Sequence, residues 1–285
     1  MGRPDFLCVG AQKTATSWLS VVLGRTPGVF MPLVKESHYF RETSARPSPW
    51  AGDQRRKQAA ELSAIDCARS RLHAHHRQAA QQLEHFSATC VDDDWYRGIF
   101  AFAEPGEVCG EACPSNFGLP ADDIDRVMRF NPEMKIILVV RDPVERVWSH
   151  LRMDRAAAAV DIEAVLSSPE RRRVYLDYTD YAGSIERWRA RCEAGRLKLS
   201  LFDDICLDPA GSARAIVSFL GISADADCPA VIEPVNAGRP APIPRAVRAT
   251  LMDLLAVQYR YLEQVFPEAV DRWRRVHTEA LTSVS

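Results

Sequence analysis

The chain has 285 residues, 47% of them hydrophobic and 26% charged, with a formal net charge of −2. That is enough to bury a substantial core in one large domain, and a near-neutral balance gives no basic field to draw nucleic acid or a membrane surface as a partner. No run of about 18 apolar residues occurs and the first apolar run begins at Phe6, so a cytoplasmic protein without anchor or signal segment is expected. Of eight cysteines only Cys109 and Cys113 lie close together, at a spacing unlike the common zinc pairs, and reduced thiols are expected. Arg dominates the basic residues and Ala is abundant, which points to a GC-rich, bacterial genome.

In chain order, residues 6–10 read as a buried strand. A tight turn follows, and then a helix over 15–25 with Trp18, Leu19, Val22 and Leu23 on one face. Such a turn would aim the helix-start N–H groups, the Thr14, Thr16 and Ser17 hydroxyls and the Lys13 ammonium at one phosphate-sized volume. A short extended stretch at Val29–Met31 leads to Val34-Lys-Glu-Ser-His-Tyr-Phe40. A polar insertion over 41–100 should hold a helix from Gln54 to Phe86, broken near Cys67, ahead of Asp92–Asp94 and the aromatic Trp95, Tyr96 and Phe100. The next expected elements are a strand over Glu107–Cys113, a short helix marked by Ile124, Val127 and Met128, and a strand over Lys135–Val140. Asp142 and Pro143 then supply an N-cap and a first helical residue for a stripe of Val144, Val147, Trp148 and Leu151. Further on, Tyr181, Ile185, Trp188 and Cys192 form a helical stripe, and Leu197, Leu199 and Leu201 alternate as a strand. A helix carrying Ile216, Val217, Phe219 and Leu220 and a last long one carrying Val247, Leu251, Leu254 and Leu262 close the chain. The alternation predicts an α/β class: one three-layer domain over 1–285 with a central, mainly parallel sheet and 41–100 as an insertion.

A nucleotide triphosphatase loop spaces two glycines five apart and places Lys beside the second. Here Lys13 sits three residues after Gly10, and the strand ending at Val140 is followed by Arg141 where a Mg²⁺-binding Asp would be expected. The shorter loop suits a single phosphoryl-sized group, and a cation replaces the metal. Lys13-Thr-Ala-Thr-Ser17 resembles the 5′-phosphosulfate loop of sulfotransferases that use 3′-phosphoadenosine 5′-phosphosulfate (PAPS), with Ala15 at the usual glycine. In the same family, strand-Arg-Asp-Pro…Ser binds the donor's 3′-phosphate, a role the resemblance gives to Arg141 and Ser149, eight residues apart. It likewise implies donor contacts over Gln12, Lys13, Thr14, Ala15, Thr16, Ser17 and Trp18, a P-loop-like fold, and no metal. Trp18 and Trp148 could stack on adenine, although their apolar helix faces favour core packing.

Lys35-Glu-Ser-His-Tyr-Phe40 resembles a segment of the branch that includes heparan sulfate sulfotransferases, where the Glu is the proposed general base. Glu36 takes that position, and His38 is its rival because an imidazole titrates near about 6.5 unaided. Trp95-Tyr96…Phe100 and Gly110-Glu-Ala-Cys-Pro-Ser-Asn-Phe117 resemble further family elements, with Ala112 and Cys113 in place of Lys and Thr. That replacement weakens any transfer of a sulfated polysaccharide acceptor to this chain. The loop Asn236-Ala-Gly-Arg239-Pro is where the family's C-terminal basic loop would fall, so Arg239 joins the donor set. His73, His75 and His76 read as a solvated helix face. The expected activity is in-line sulfuryl transfer to a hydroxyl or amine of a small-molecule or carbohydrate acceptor. The alternatives are an ATP-dependent small-molecule kinase and a non-catalytic nucleotide-binding protein.

Overall fold

The computed structural model describes residues 2–69, 75–223, 235 and 241–283. The loop carrying Arg239 and the side chains of 66–77, including His73, His75 and His76, lie outside the described residues. The first half of the chain runs β1 (Phe6–Gly10), α1 (Thr16–Gly24), β2 (Val29–Phe30), α2 (Tyr39–Glu42), α3 (Ala51–Arg69), α4 (His75–Phe86), α5 (Asp93–Ile99), β3 (Val108–Ala112), α6 (Ala121–Phe130) and β4 (Lys135–Val140). Then come α7 (Pro143–Ala158), α8 (Ile162–Ser167), α9 (Pro169–Asp177), α10 (Tyr181–Arg189), β5 (Leu197–Leu201), α11 (Phe202–Leu207) and α12 (Pro209–Leu220). Three helices close the fold: α13 (Arg245–Leu254), α14 (Ala256–Val265) and α15 (Pro267–Thr282).

The five strands form one sheet in the order β2-β3-β1-β4-β5, and every pairing is parallel. Burial on both faces is why β1 and β4 read as unbroken apolar runs. Along β4, Ile136, Leu138 and Val140 enter the larger core while Ile137 and Val139 enter the smaller one. The smaller core is closed by Trp18, Leu19, Val22 and Leu23 of α1 and by Ile216, Val217 and Leu220 of α12. Helices α3 to α7, α10 and α13 to α15 contribute to the larger core on the opposite face. After β1 the chain builds outward to β3 and β2, and from β4 it builds the other way. The carboxyl ends of β1 and β4 therefore flank a topological switch point, where an open α/β sheet offers a crevice.

The helix expected over 54–86, broken near Cys67, corresponds to α3 and α4, with 70–74 outside the described residues. The last long helix expected over Val247 to Leu262 is two, α13 and α14, divided at Leu255, with α15 following. Pro267, at the start of α15, lacks the N–H that a continuous helix would require. Helices α8 and α9, not foreseen, begin at the side-chain caps Asp161 and Ser168. The C-terminal helices are tied to the start of α7. Asp142 caps Val144 and Glu145 N–H groups through Oδ1, accepts from Tyr259 Oη at 2.8 Å on the same oxygen, and pairs with His277 Nε2 at 2.8 Å through Oδ2. No helix among the described residues is long and apolar enough to cross a membrane. Cys8, Cys90, Cys109, Cys113, Cys192 and Cys206 are free.

Candidate active site

The turn after β1 is shaped by crowding. Gly10 has φ 127°, and a Cβ there would lie 3.0 Å from Phe117 Cβ and 3.1 Å from the Pro114 carbonyl, so only glycine fits. The Ala11 N–H donates to the Val139 carbonyl at 3.2 Å, fixing the turn beside β4. Lys13 and Ala15 both take left-handed backbone, at φ 69° and 64°. The region costs an alanine about 1 kcal/mol, which is the physical reason for glycine at the matching position of the resembled loop. With Ala15 as N-cap, α1 has no side-chain cap, so its first N–H groups remain available to an anion. The Thr14 hydroxyl does not join them: it is buried and donates to the Ala11 carbonyl at 2.7 Å.

Cations converge on this turn. Arg141, at the end of β4, donates to the Lys13 carbonyl at 3.1 Å, stacks 4.4 Å over the Phe202 ring and lies 3.7 Å from Glu145. Arg146 is fully buried on α7, donating to the Tyr175 carbonyl at 2.6 Å and the Gln12 carbonyl at 3.5 Å. Its Nε and the Gln12 Oε1 are buried without a partner among the described residues. Burial, and then Arg141 and Arg146, depress the Lys13 ammonium below its ordinary range, and among the described residues it donates to the Met153 thioether at 3.5 Å. Lysine held beside two guanidinium groups with a weak acceptor is a site that suits an anion.

Lys35 adds a fourth cation. Its Nζ lies 3.3 Å from Thr16 Oγ1, 3.2 Å from Ser17 Oγ and 2.9 Å from Glu36 Oε1. The other Glu36 oxygen lies 3.6 Å from His38 Nε2, while His38 Nδ1 meets Ser115 Oγ at 3.0 Å. Cys113 Sγ lies 3.2 Å from the same hydroxyl. Glu36, His38 and Cys113 bring ligand atoms within 4.8 Å of one another. His38 hydrogen-bonds Ser115 with Nδ1 and turns Nε2 toward Glu36 at 3.6 Å, and burial pushes the Cys113 thiol far up. Burial also lowers the His38 pKa, which favours the neutral imidazole.

The segment bearing Glu36 is held from below by Glu111 on β3. This fully buried carboxylate accepts from Ser37 N–H at 3.2 Å, Ser37 Oγ at 3.0 Å and Tyr96 Oη at 2.9 Å. Burial outweighs those three donors and raises its pKa from 4.5 to about 7. Because the folded value is raised, the folded state binds the extra proton between those limits, and that stability is lost as pH rises through about 7. Glu111→Gln should lack this slope. Unfolding free energies from urea titrations at about pH 5 and about pH 7.5 should show the wild type losing up to about 3 kcal/mol relative to the variant; parallel pH dependences would contradict the assignment.

In front of Glu36 opens a cleft of about 760 Å³, reached by Gln12, His150 and Met153 on the donor side and by Trp50, Gln54 and Tyr178 on the other. A sequence model of the sulfotransferase family matches residues 4–226. The chain belongs to the sulfotransferase family. Mouse heparan sulfate glucosamine 3-O-sulfotransferases 3B1 and 3A1 are each 27% identical to it over 137 residues, 45% of this chain and 35% and 34% of theirs. The chain thus spans about a third of the length of these curated relatives. In fold it is similar to a sulfotransferase from Alicyclobacillus acidocaldarius, with a TM-score of 0.69 and 22% identity over 96% of this chain and 100% of that one. A sulfotransferase domain of the curacin biosynthetic pathway gives 0.53 and 14% over 84% and 79%. That of the Synechococcus PCC 7002 olefin synthase gives 0.52 and 18% over 96% and 88%.

In this sulfotransferase fold Lys13, Thr16, Ser17, Glu36 and Arg141 fall around the turn or one ammonium away from it. Ser149 is half-buried on the second turn of α7. Trp18 and Trp148 are 4% and 5% exposed and pack in the two cores, Trp148 donating to the Ala241 carbonyl at 3.0 Å; the core reading of both holds. Sequence reasoning missed Lys35, Arg146 and His150. Burial, then Arg146 and Lys13, drive the His150 pKa from 6.5 to about 3, so it is a poor proton acceptor at neutral pH. An arginine on an otherwise apolar helical stripe was the available signal for Arg146.

Proposed function

We propose that this chain transfers the sulfuryl group of PAPS to a hydroxyl or amine of a small-molecule or carbohydrate acceptor. The observation that carries the proposal is the span of the Lys35 ammonium, which joins the Thr16 and Ser17 hydroxyls of the anion turn to the Glu36 carboxylate. The two ends of a sulfuryl transfer, donor cradle and cleft-facing base, are one side chain apart. Glu36 takes the acceptor proton, the acceptor oxygen or nitrogen bonds to sulfur, and the bond from sulfur to the bridging phosphate oxygen breaks. The electron pair leaves on 3′-phosphoadenosine 5′-phosphate (PAP), whose new charge Lys13 and the α1 amides stabilise. Gln12 to Ser17 hold the 5′-phosphosulfate, Arg141 and Ser149 the 3′-phosphate, with Arg239 as a further donor contact, and the 41–100 segment forms an acceptor-side wall. Glu36 is favoured over His38 as base because His38 is nearly buried and turns its ring nitrogens to Glu36 and Ser115.

The test is transfer of labelled sulfuryl from PAPS with EDTA present, beside ATP with Mg²⁺. Label transfer without ATP consumption supports the proposal, and ATP-dependent phosphorylation alone would overturn it in favour of the kinase reading. Arg141→Ala should weaken PAP at least about tenfold, the scale of a charge-assisted contact, and leave 5′-AMP nearly unaffected. Equal PAP affinity in variant and wild type, measured by calorimetry, would remove Arg141 from the 3′-phosphate site.

A further inference from the structure

One wall of the cleft is a stripe at the start of α3. Trp50, Gln54 and Gln58 recur every four residues, so they share a helix face, and all three line the cleft. The Trp50 side chain is 41% exposed and meets the His38 ring edge-on at 5.0 Å, which places an open aromatic surface beside His38 and Glu36. Neither glutamine amide has a hydrogen-bond partner among the described residues.

The charges around the stripe are also informative. The cleft carries the carboxylates of Glu36, Asp154, Asp177 and Asp180 against two guanidinium groups, Arg41 and Arg187. Both arginines are already engaged: Arg41 Nε donates to the Ser115 carbonyl at 2.7 Å, and Arg187 lies 3.5 Å from Asp180. Glu36, Asp177 and Asp180 pair with Lys35, Arg173 and Arg187, and Asp154 accepts from Tyr175 Oη. Among the described residues Arg41 is thus the cleft guanidinium left without a carboxylate partner, a weak counter-charge for a polyanion facing four carboxylates. A flat phenol would leave the two amides desolvated and unpaired. A ring with one face of C–H groups and a rim of hydroxyls satisfies both an indole and a pair of amides.

Resting on the transferase reading above, we infer that the acceptor is a neutral saccharide, with a ring face on Trp50 and ring hydroxyls on Gln54 and Gln58, presenting one hydroxyl to Glu36. The experiment offers labelled PAPS and three kinds of acceptor: neutral trisaccharides (maltotriose, cellotriose, triacetylchitotriose), a heparan sulfate hexasaccharide and 4-nitrophenol. Label should enter a neutral trisaccharide in preference to the other two kinds. For that sugar Trp50→Ala should raise KM about tenfold or more with kcat much less changed and PAP affinity unaltered, and Trp50→Phe should fall between. Addition of the sugar without donor should change the tryptophan fluorescence of the wild type more than that of Trp50→Phe. Preference for heparan sulfate or 4-nitrophenol, an unchanged KM in Trp50→Ala, or no use of any neutral sugar by protein that binds PAP normally would each overturn this inference alone. Failure to bind PAP would overturn the transferase reading beneath it.

Discussion

Lys13→Ala is expected to lower kcat for sulfuryl transfer by about 10²-fold or more while PAP affinity falls considerably less. In the resting state the ammonium is depressed by burial and by Arg141 and Arg146, and among the described residues it donates to a thioether. A bridging phosphate oxygen carries little charge in bound PAPS and a full one in the product, so the interaction strengthens as the sulfur–oxygen bond breaks. Stabilisation realised mainly in the transition state appears in kcat. Arg141, Lys35 and the α1 amides remain to hold the phosphates. Steady-state kinetics with calorimetry of PAP distinguish the cases: a loss confined to KM, or a kcat loss matched by an equal loss of PAP affinity, would make Lys13 a binding residue only.

Glu36→Gln should be comparably severe, about 10²- to 10⁴-fold in kcat, the usual range for removing a positioned base. The amide oxygen can still accept from Lys35, so the turn and PAP affinity should survive. The companion variant is His38→Asn. His38 sits at φ 53°, a left-handed conformation that asparagine tolerates better than most residues, so the backbone should be kept. As a positioning residue His38 should cost only about tenfold in kcat in His38→Asn, through a looser Glu36, against the far larger loss in Glu36→Gln. The reverse pattern would transfer the base role to His38.

The parts legible in the sequence are those set by local rules. Strands buried on both faces gave uninterrupted apolar runs at β1 and β4, and Asp142-Pro143 announced α7 through cap chemistry alone. Lys13 and Arg141 could be placed because Arg141 follows β4 directly and Lys13 lies in the short turn after β1. Lys35 could not, since its contact with Thr16 and Ser17 depends on how the chain returns after β2. The cleft wall was illegible for the same reason: Trp50 and Tyr178 come from segments far apart in the chain, joined only by packing on the larger core. The division of the last long helix at Leu255 is a different failure, because the recurring apolar residues run across the break.

Calorimetric titration of the purified chain with PAP in EDTA, beside 5′-AMP and ATP, tests the central claim most directly. The account predicts micromolar, metal-independent binding of PAP that is lost when the 3′-phosphate is absent. Binding of ATP alone, and only with Mg²⁺, would contradict it.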